Sequence, residues 1–279
     1  MGRIGRGFEL AKISWAVVRS DRSLLLFPVV AAVCAIVAAG VFFGAGAGVG
    51  SSANSVWAAA PFVVVGLYVL IAIGQFCAVA LAACVTKALD GQETTFSQGI
   101  AAARGRTGVI LRWAGVQLVV GALVALLQAL LRQAAGNLVS SIVGGLANVG
   151  WAIATFFVVP VIALEGLGPV DAIKRSAAVV RERWGEGVVG SATIGGAVFV
   201  LGIVPGIALI VAGVALAGSS AAAGVAVIAL GVIVIVLASL LQVTLSAVFR
   251  VALFRFATGG EIAGHFSQQQ LEGAFRSRR

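Results

Sequence analysis

A chain of 279 residues that is 61% hydrophobic and only 10% charged has too little charge to cover a water-facing surface, for which about 25% is usual. That excludes an ordinary soluble enzyme and makes lipid the solvent for most of the surface. The net charge of +9 then points to the anionic lipid of an inner leaflet, at about 1 kcal/mol per basic residue near the surface, and not to nucleic acid.

In chain order, the first element is a helix over Arg3–Arg19. Ile4, Phe8, Ala11, Trp15 and Val18 step by helical spacing along one stripe, with Arg6, Glu9, Lys12 and Arg19 off it. Such a helix lies in the membrane interface, Trp at headgroup depth and basic groups toward phosphate. Because this region carries Glu9 and Asp21 and precedes a run of full span length, it reads as part of the protein and not as a cleaved signal.

Three blocks nearly free of charge follow. Arg22 and Lys87 are separated by 64 residues without Asp, Glu, Lys or Arg, and Glu186 and Arg250 by 63. The 52 residues between Arg112 and Glu165 are interrupted only by Arg132. A crossing takes roughly 20 apolar residues, so each block is long enough for two. Turn residues punctuate each near its middle: GAGAGVGSSANS at Gly44–Ser55, RQAAGN at Arg132–Asn137 and AGSSAA at Ala217–Ala222. The expectation is an all-α polytopic membrane protein with six transmembrane helices, about 24–43, 57–86, 107–131, 138–164, 187–217 and 221–249, arranged as three hairpins. The runs are continuous and lack the period-two alternation of a β-barrel.

Before the third block stands a second copy of the surface helix. SWAVVR at Ser14–Arg19 returns as SAAVVR at Ser176–Arg181. Val170, Ile173, Ala177, Val180 and Trp184 form its stripe, with Asp171, Lys174, Arg175, Arg181 and Glu182 on the other side and Pro169 in the first turn. A weaker copy starts at Phe96, with Ile100 and Ala103 on one face and Arg104 and Arg106 after it. The single membrane domain, 1–279, then parses as tandem units 3–86, 95–164 and 169–257, each a surface helix followed by a hairpin.

With three hairpins, both termini and the charged loops share one side. Of nineteen Lys and Arg residues only Arg132 falls opposite, which makes the crowded side cytoplasmic. Anionic-lipid contact is therefore expected at Arg6, Lys12, Arg19, Arg22, Lys174, Arg175, Arg181 and Arg183. Three Lys against sixteen Arg, with abundant Ala, Gly and Val, suits a GC-rich bacterial genome. The expected location is a bacterial inner membrane.

Nothing in the sequence assembles a catalytic constellation, a metal set or a cofactor loop, so the expectation is a non-enzymatic protein with no cofactor. Cys34, Cys77 and Cys84 fall within predicted spans and read as small hydrophobes. Gln75, Gln117 and Gln242 are mid-membrane polar residues, read as interhelical hydrogen-bonding groups, with a substrate path as the alternative. Glu165 follows Pro160 in a segment expected to kink, and is read as one half of a structural ion pair with Lys174 or Arg175. His265, the lone histidine, sits in a polar tail. The G-x-x-x-G pairs at Gly40–Gly44 and Gly202–Gly206 suit close packing within the bundle.

FELAKISWAVVRSDRSLLLFPVV and FFVVPVIALEGLGPVDAIKRSAAVVRERWGE resemble a family of bacterial integral membrane proteins of unknown function. The matching pattern lies at Pro160, Glu165, Ala172, Ile173 and Ser176. A more distant resemblance is to the membrane domain attached to some glycerophosphodiester phosphodiesterases. Their soluble catalytic barrel is absent here, so this likeness implies at most a lipid-associated role. The leading expectation is a scaffold that binds lipid or a protein partner; the alternative is a transporter or lipid-handling protein with a pathway between the hairpins.

Overall fold

The computed structural model describes residues 22–183, 195–196, 198–218 and 220–259. The first surface helix, with Arg6, Lys12 and Arg19, lies outside the described residues, as do Trp184 and His265. The backbone of Arg22 and Arg183 is described, and the lipid contacts expected at their side chains lie outside the description.

A 3₁₀ turn at Arg22–Leu25 leads into α1 (Leu26–Ser52), followed by α2 (Val56–Leu89), α3 (Phe96–Arg104), α4 (Thr107–Ala154), α5 (Val158–Leu164) and α6 (Pro169–Arg183). A π-helical segment, Phe199–Ile203, runs into α7 (Val204–Ala217), and α8 (Ala221–Gly259) completes the described chain. The described residues contain no strand. Five helical stretches are long and apolar enough to cross a membrane: Ser23–Ser52, Val56–Leu89, Thr107–Leu164, Phe199–Ala217 and Ala221–Gly259.

Helices run further than turn chemistry suggests. The expected turn at Gly44–Ser55 is confined to Ala53–Asn54, with Asn54 at φ 46°; α1 continues through every glycine before it. Glycine weakens a helix by about 1 kcal/mol relative to alanine. An unsatisfied peptide group in hydrocarbon is worse by several kcal/mol, so the helix persists. The hydroxyls of Ser51 and Ser52 both donate to the Gly48 carbonyl, at 2.9 and 2.8 Å, and close the last turn.

The described residues divide between two compact units, Val29–Thr86 with Thr94–Arg183, and Met1–Pro28 with Lys87–Glu93 and Trp184–Arg279. In the first, α1 and α2 run side by side: a Cβ placed on Gly46 would come within 3.1 Å of Phe62 Cβ, and one on Gly50 within 3.3 Å of Ala59 Cβ. α4 doubles back at Gly136, whose φ of 82° and ψ of 176° break the helical geometry. Ser140 Oγ therefore donates to the Gln128 carbonyl at 2.8 Å. Further along, Trp113 and Trp151 stack with centroids 5.9 Å apart. A straight helix would hold those two indoles more than about 50 Å apart, at about 1.5 Å per residue.

In the second unit α7 and α8 pack through small residues. Gly206 and Gly213 face Gly231 and Gly224 so closely that a Cβ on Gly213 would lie 2.8 Å from the Gly224 carbonyl oxygen. The Gly202–Gly206 pair thus serves packing inside the chain, whereas Gly40 and Gly44 have no neighbour within 4 Å of where a Cβ would stand. α8 also overruns its expected end at 249 and carries Arg250 and Arg255 within it. Val251–Phe254 and Phe256 are buried there, and Arg255 Nη1 donates to Asp90 Oδ1 at 2.7 Å in the loop after α2. A basic residue ends the hydrophobic run without ending the helix.

Large apolar side chains stand open along the long helices: Ile36 is 72% exposed, Leu123 59%, Leu138 74% and Leu201 69%. Water-soluble monomers rarely tolerate contiguous apolar patches beyond a few hundred Å². Around a membrane segment the same surface is the expected one.

Candidate functional site

The residues of the expected Pro–Glu–Ala–Ile–Ser pattern meet at one joint. Pro160 lacks an N–H and its ring crowds the carbonyl four residues back, so the helix breaks one turn earlier, at Thr155–Phe157, before α5 resumes. The break frees a peptide N–H that α6 captures: Phe157 N–H donates to Ser176 Oγ at 3.0 Å, inside the protein. Ser176 and Ala172 are both fully buried, and their small side chains let α6 lie against α4 and α5. Pro160 is buried as well, and Ile173 is half-buried beside them.

The protein-facing side of α6 is therefore Ala172, Ser176 and Val179, with Val180 at its edge. Apart from Val180, this face is distinct from the apolar stripe read from spacing as the membrane-interface side. Val170 is 60% exposed, and Ile173 and Ala177 are half-buried. The stripe leaves this second face unmarked, because Ala172 and Ser176 add little to a hydrophobic pattern.

At the end of α5, Glu165 and Gly166 N–H groups both reach the Val161 carbonyl, at 2.8 and 3.1 Å. Gly166 has φ +69°, the left-handed conformation that ends helices and suits glycine. Glu165 Oε1 accepts from Arg175 Nε at 3.2 Å. Of the two partners expected for Glu165, the structure thus brings Arg175; Lys174 lies 3.8 Å from Asp171, both well exposed. The Glu165–Arg175 pair is itself partly exposed, so its contribution is at most about 1 kcal/mol.

Replacing Ser176 with alanine removes the acceptor for Phe157 N–H at a fully buried position and is expected to destabilise the protein by about 1–3 kcal/mol. Arg175→Gln, at the exposed pair, is expected to change stability by no more than about 1 kcal/mol. Thermal denaturation of both variants in the same detergent checks the order; equal losses would contradict it.

Elsewhere in this unit, Trp113 Nε1–H donates to Gln75 Oε1 at 3.1 Å, tying α2 to α4. Trp113 is 1% exposed, and its indole is thus held on one face by Trp151 and at its polar edge by Gln75. Gln117, one turn further along α4, is half-buried and makes no hydrogen bond among the described residues. Gln242 lies in α8, in the other unit, with Nε2 3.4 Å from the place of a Cβ on Gly195. Cys34, Cys77 and Cys84 form no disulfide among the described residues, and Cys84 Sγ donates to the Thr95 carbonyl at 3.7 Å.

Among expected lipid contacts, Lys174 and Arg181 are exposed and Arg175 is partly so. Arg104 and Arg112 are also exposed; the sequence marks them as cytoplasmic charge without singling them out. The Trp113–Trp151 and Asp90–Arg255 contacts join residues 38 and 165 positions apart, and no local spacing signals either.

The model of a family of unknown function, DUF6159, matches residues 58–264, most of the chain. No curated protein and no solved structure matches significantly.

Proposed function

The chain belongs to this family of unknown function, and on that premise we propose a multi-pass bacterial inner-membrane scaffold, without enzymatic activity, whose basic side contacts anionic lipid. In this reading the membrane stretches make six crossings as three hairpins, Thr107–Leu164 supplying two of them. Both termini are cytoplasmic, and α6 lies in the inner interface with Val170, Ile173 and Ala177 toward lipid. Where the described charges fall carries the proposal. In the unit built from Val29–Thr86 and Thr94–Arg183, exposed Arg104, Arg112, Lys174 and Arg181 outnumber the exposed carboxylates Glu165 and Asp171 beside them and border long helices with many exposed apolar side chains. Each such cation near an anionic surface contributes about 1 kcal/mol.

Full-length protein reconstituted in nanodiscs of mixed phosphatidylglycerol and phosphatidylcholine is expected to enrich the anionic lipid around itself. Changing Arg104, Arg112, Lys174 and Arg181 together to Gln should reduce that enrichment several-fold. Equal recovery of the two lipids with the wild-type protein would sink the lipid reading.

A transporter or lipid-handling role is the second reading. It is favoured by the π-helical segment at Phe199–Ile203 with Pro205 just after it, because π-helical turns within helices are frequent at functional sites.

A further inference from the structure

We propose that the Glu165–Gly166 turn, together with Arg106 and Arg175, forms a discrete binding site for a phosphate-bearing ligand. Arg106 stands at the start of α4, and its Nε lies 3.7 Å from the position a Gly166 Cβ would occupy. Arg175 reaches the same turn from α6, with Nε 3.2 Å from Glu165 Oε1. Two guanidinium groups thus converge on one turn that offers a single carboxylate, leaving a net positive charge. Arg106 makes no side-chain hydrogen bond or ion pair among the described residues, and its fork of donors is uncommitted. Arg175 spends one donor on Glu165 and retains its terminal N–H groups.

Paired arginines match a phosphate geometrically, since each planar fork can bridge two of its oxygens. Gly166 matters through its positive φ, which turns the chain there, and the Arg106 guanidinium lies at van der Waals distance beside it. The chemistry fits equally a phospholipid headgroup or free phosphate. The proposal rests on the basic side of the protein facing anionic lipid, and adds to it a single site in place of diffuse attraction.

The full chain, purified in mild detergent, is tested by native mass spectrometry for retained phosphatidylglycerol. Wild-type protein is expected to keep one lipid. Arg106→Gln and Arg106→Lys should both lose it at least tenfold, because lysine keeps the charge without the fork. Arg132→Gln, which removes the same charge at an exposed residue outside the basic side, should stay within twofold. Displacement by millimolar inorganic phosphate would assign the site to the free ion, and resistance to displacement would assign it to the lipid headgroup. Retention by Arg106→Lys equal to wild type, or equal losses in all three variants, would overturn the discrete site while leaving general lipid attraction intact. Failure of wild-type protein to prefer anionic lipid in nanodiscs would remove both.

Discussion

Gly213→Leu is expected to force α7 and α8 apart and to lower stability by about 1–3 kcal/mol or more, the usual penalty of overpacking. At that position a Cβ would stand 2.7 Å from Ile228 Cγ1, 2.8 Å from the Ile228 nitrogen and 2.8 Å from the Gly224 carbonyl oxygen. Two of those three atoms are backbone, so no rotamer change relieves the clash. Separation would also forfeit van der Waals contact, a main force between helices in lipid. Gly40→Leu supplies the control, since no atom of a neighbouring helix lies within 4 Å of its Cβ position; it should not lower stability, and the better helix propensity of leucine should raise it by up to about 1 kcal/mol. Thermal denaturation in detergent, followed by the loss of monodisperse protein, compares the two. A Gly40 variant as damaged as the Gly213 variant would contradict the assigned seam.

The second large effect is expected at Gly136. Its φ of 82° and ψ of 176° fall in a region that is essentially glycine-only, and strained backbone of this kind costs about 1–3 kcal/mol for other residues. Gly136→Val should therefore disfavour the reversal between the two limbs of α4. Because the reversal brings Trp113 onto Trp151, the near-ultraviolet circular dichroism of that indole pair should weaken along with stability. Gly145→Ala, with no positive φ and open space around it, should leave the indole signal unchanged and raise stability by up to about 1 kcal/mol. An unaltered indole signal in the Gly136 variant would show that the turn lies elsewhere.

These two sites also show what the sequence reveals and what it hides. Residues 132–137 are readable as a reversal because Gly and Asn interrupt a long apolar run, and Gly136 lies among them. The stretch Gly44–Gly50 carries a denser turn signal, yet it is helix, because lipid gives a free peptide group no water to bind. The two G-x-x-x-G pairs are alike as strings, but only Gly202–Gly206 faces a partner helix in the structure. Which glycine meets a neighbour is a property of packing, and periodicity carries no record of it.

The joint is legible in part. Pro160 announces the break and Glu165 the ion pair, with two cations left as alternatives. The choice of Arg175 over Lys174 depends on how α6 is rotated, and that rotation is set by Ala172 and Ser176 fitting against α4 and α5. Small residues carry little weight in a hydrophobic pattern, so the pattern marks the bulky stripe and leaves the protein-facing side of α6 unmarked. Arg106 stays inconspicuous for a related reason: its proximity to Gly166 joins residues 60 positions apart.

The lipid reading assumes helices threaded through a bilayer so that every charged loop but the turn carrying Arg132 faces the cell interior. Single cysteines introduced at Asn54, Gln133 and Ser220, and separately at Gln92 and Leu167, test that assumption in a chain whose Cys34, Cys77 and Cys84 are replaced by alanine. With a membrane-impermeant maleimide on intact spheroplasts, the first three should label and the last two should label only after permeabilisation. Labelling of Gln92 or Leu167 positions in sealed spheroplasts, or recovery of the chain in the soluble fraction without detergent, would contradict the account.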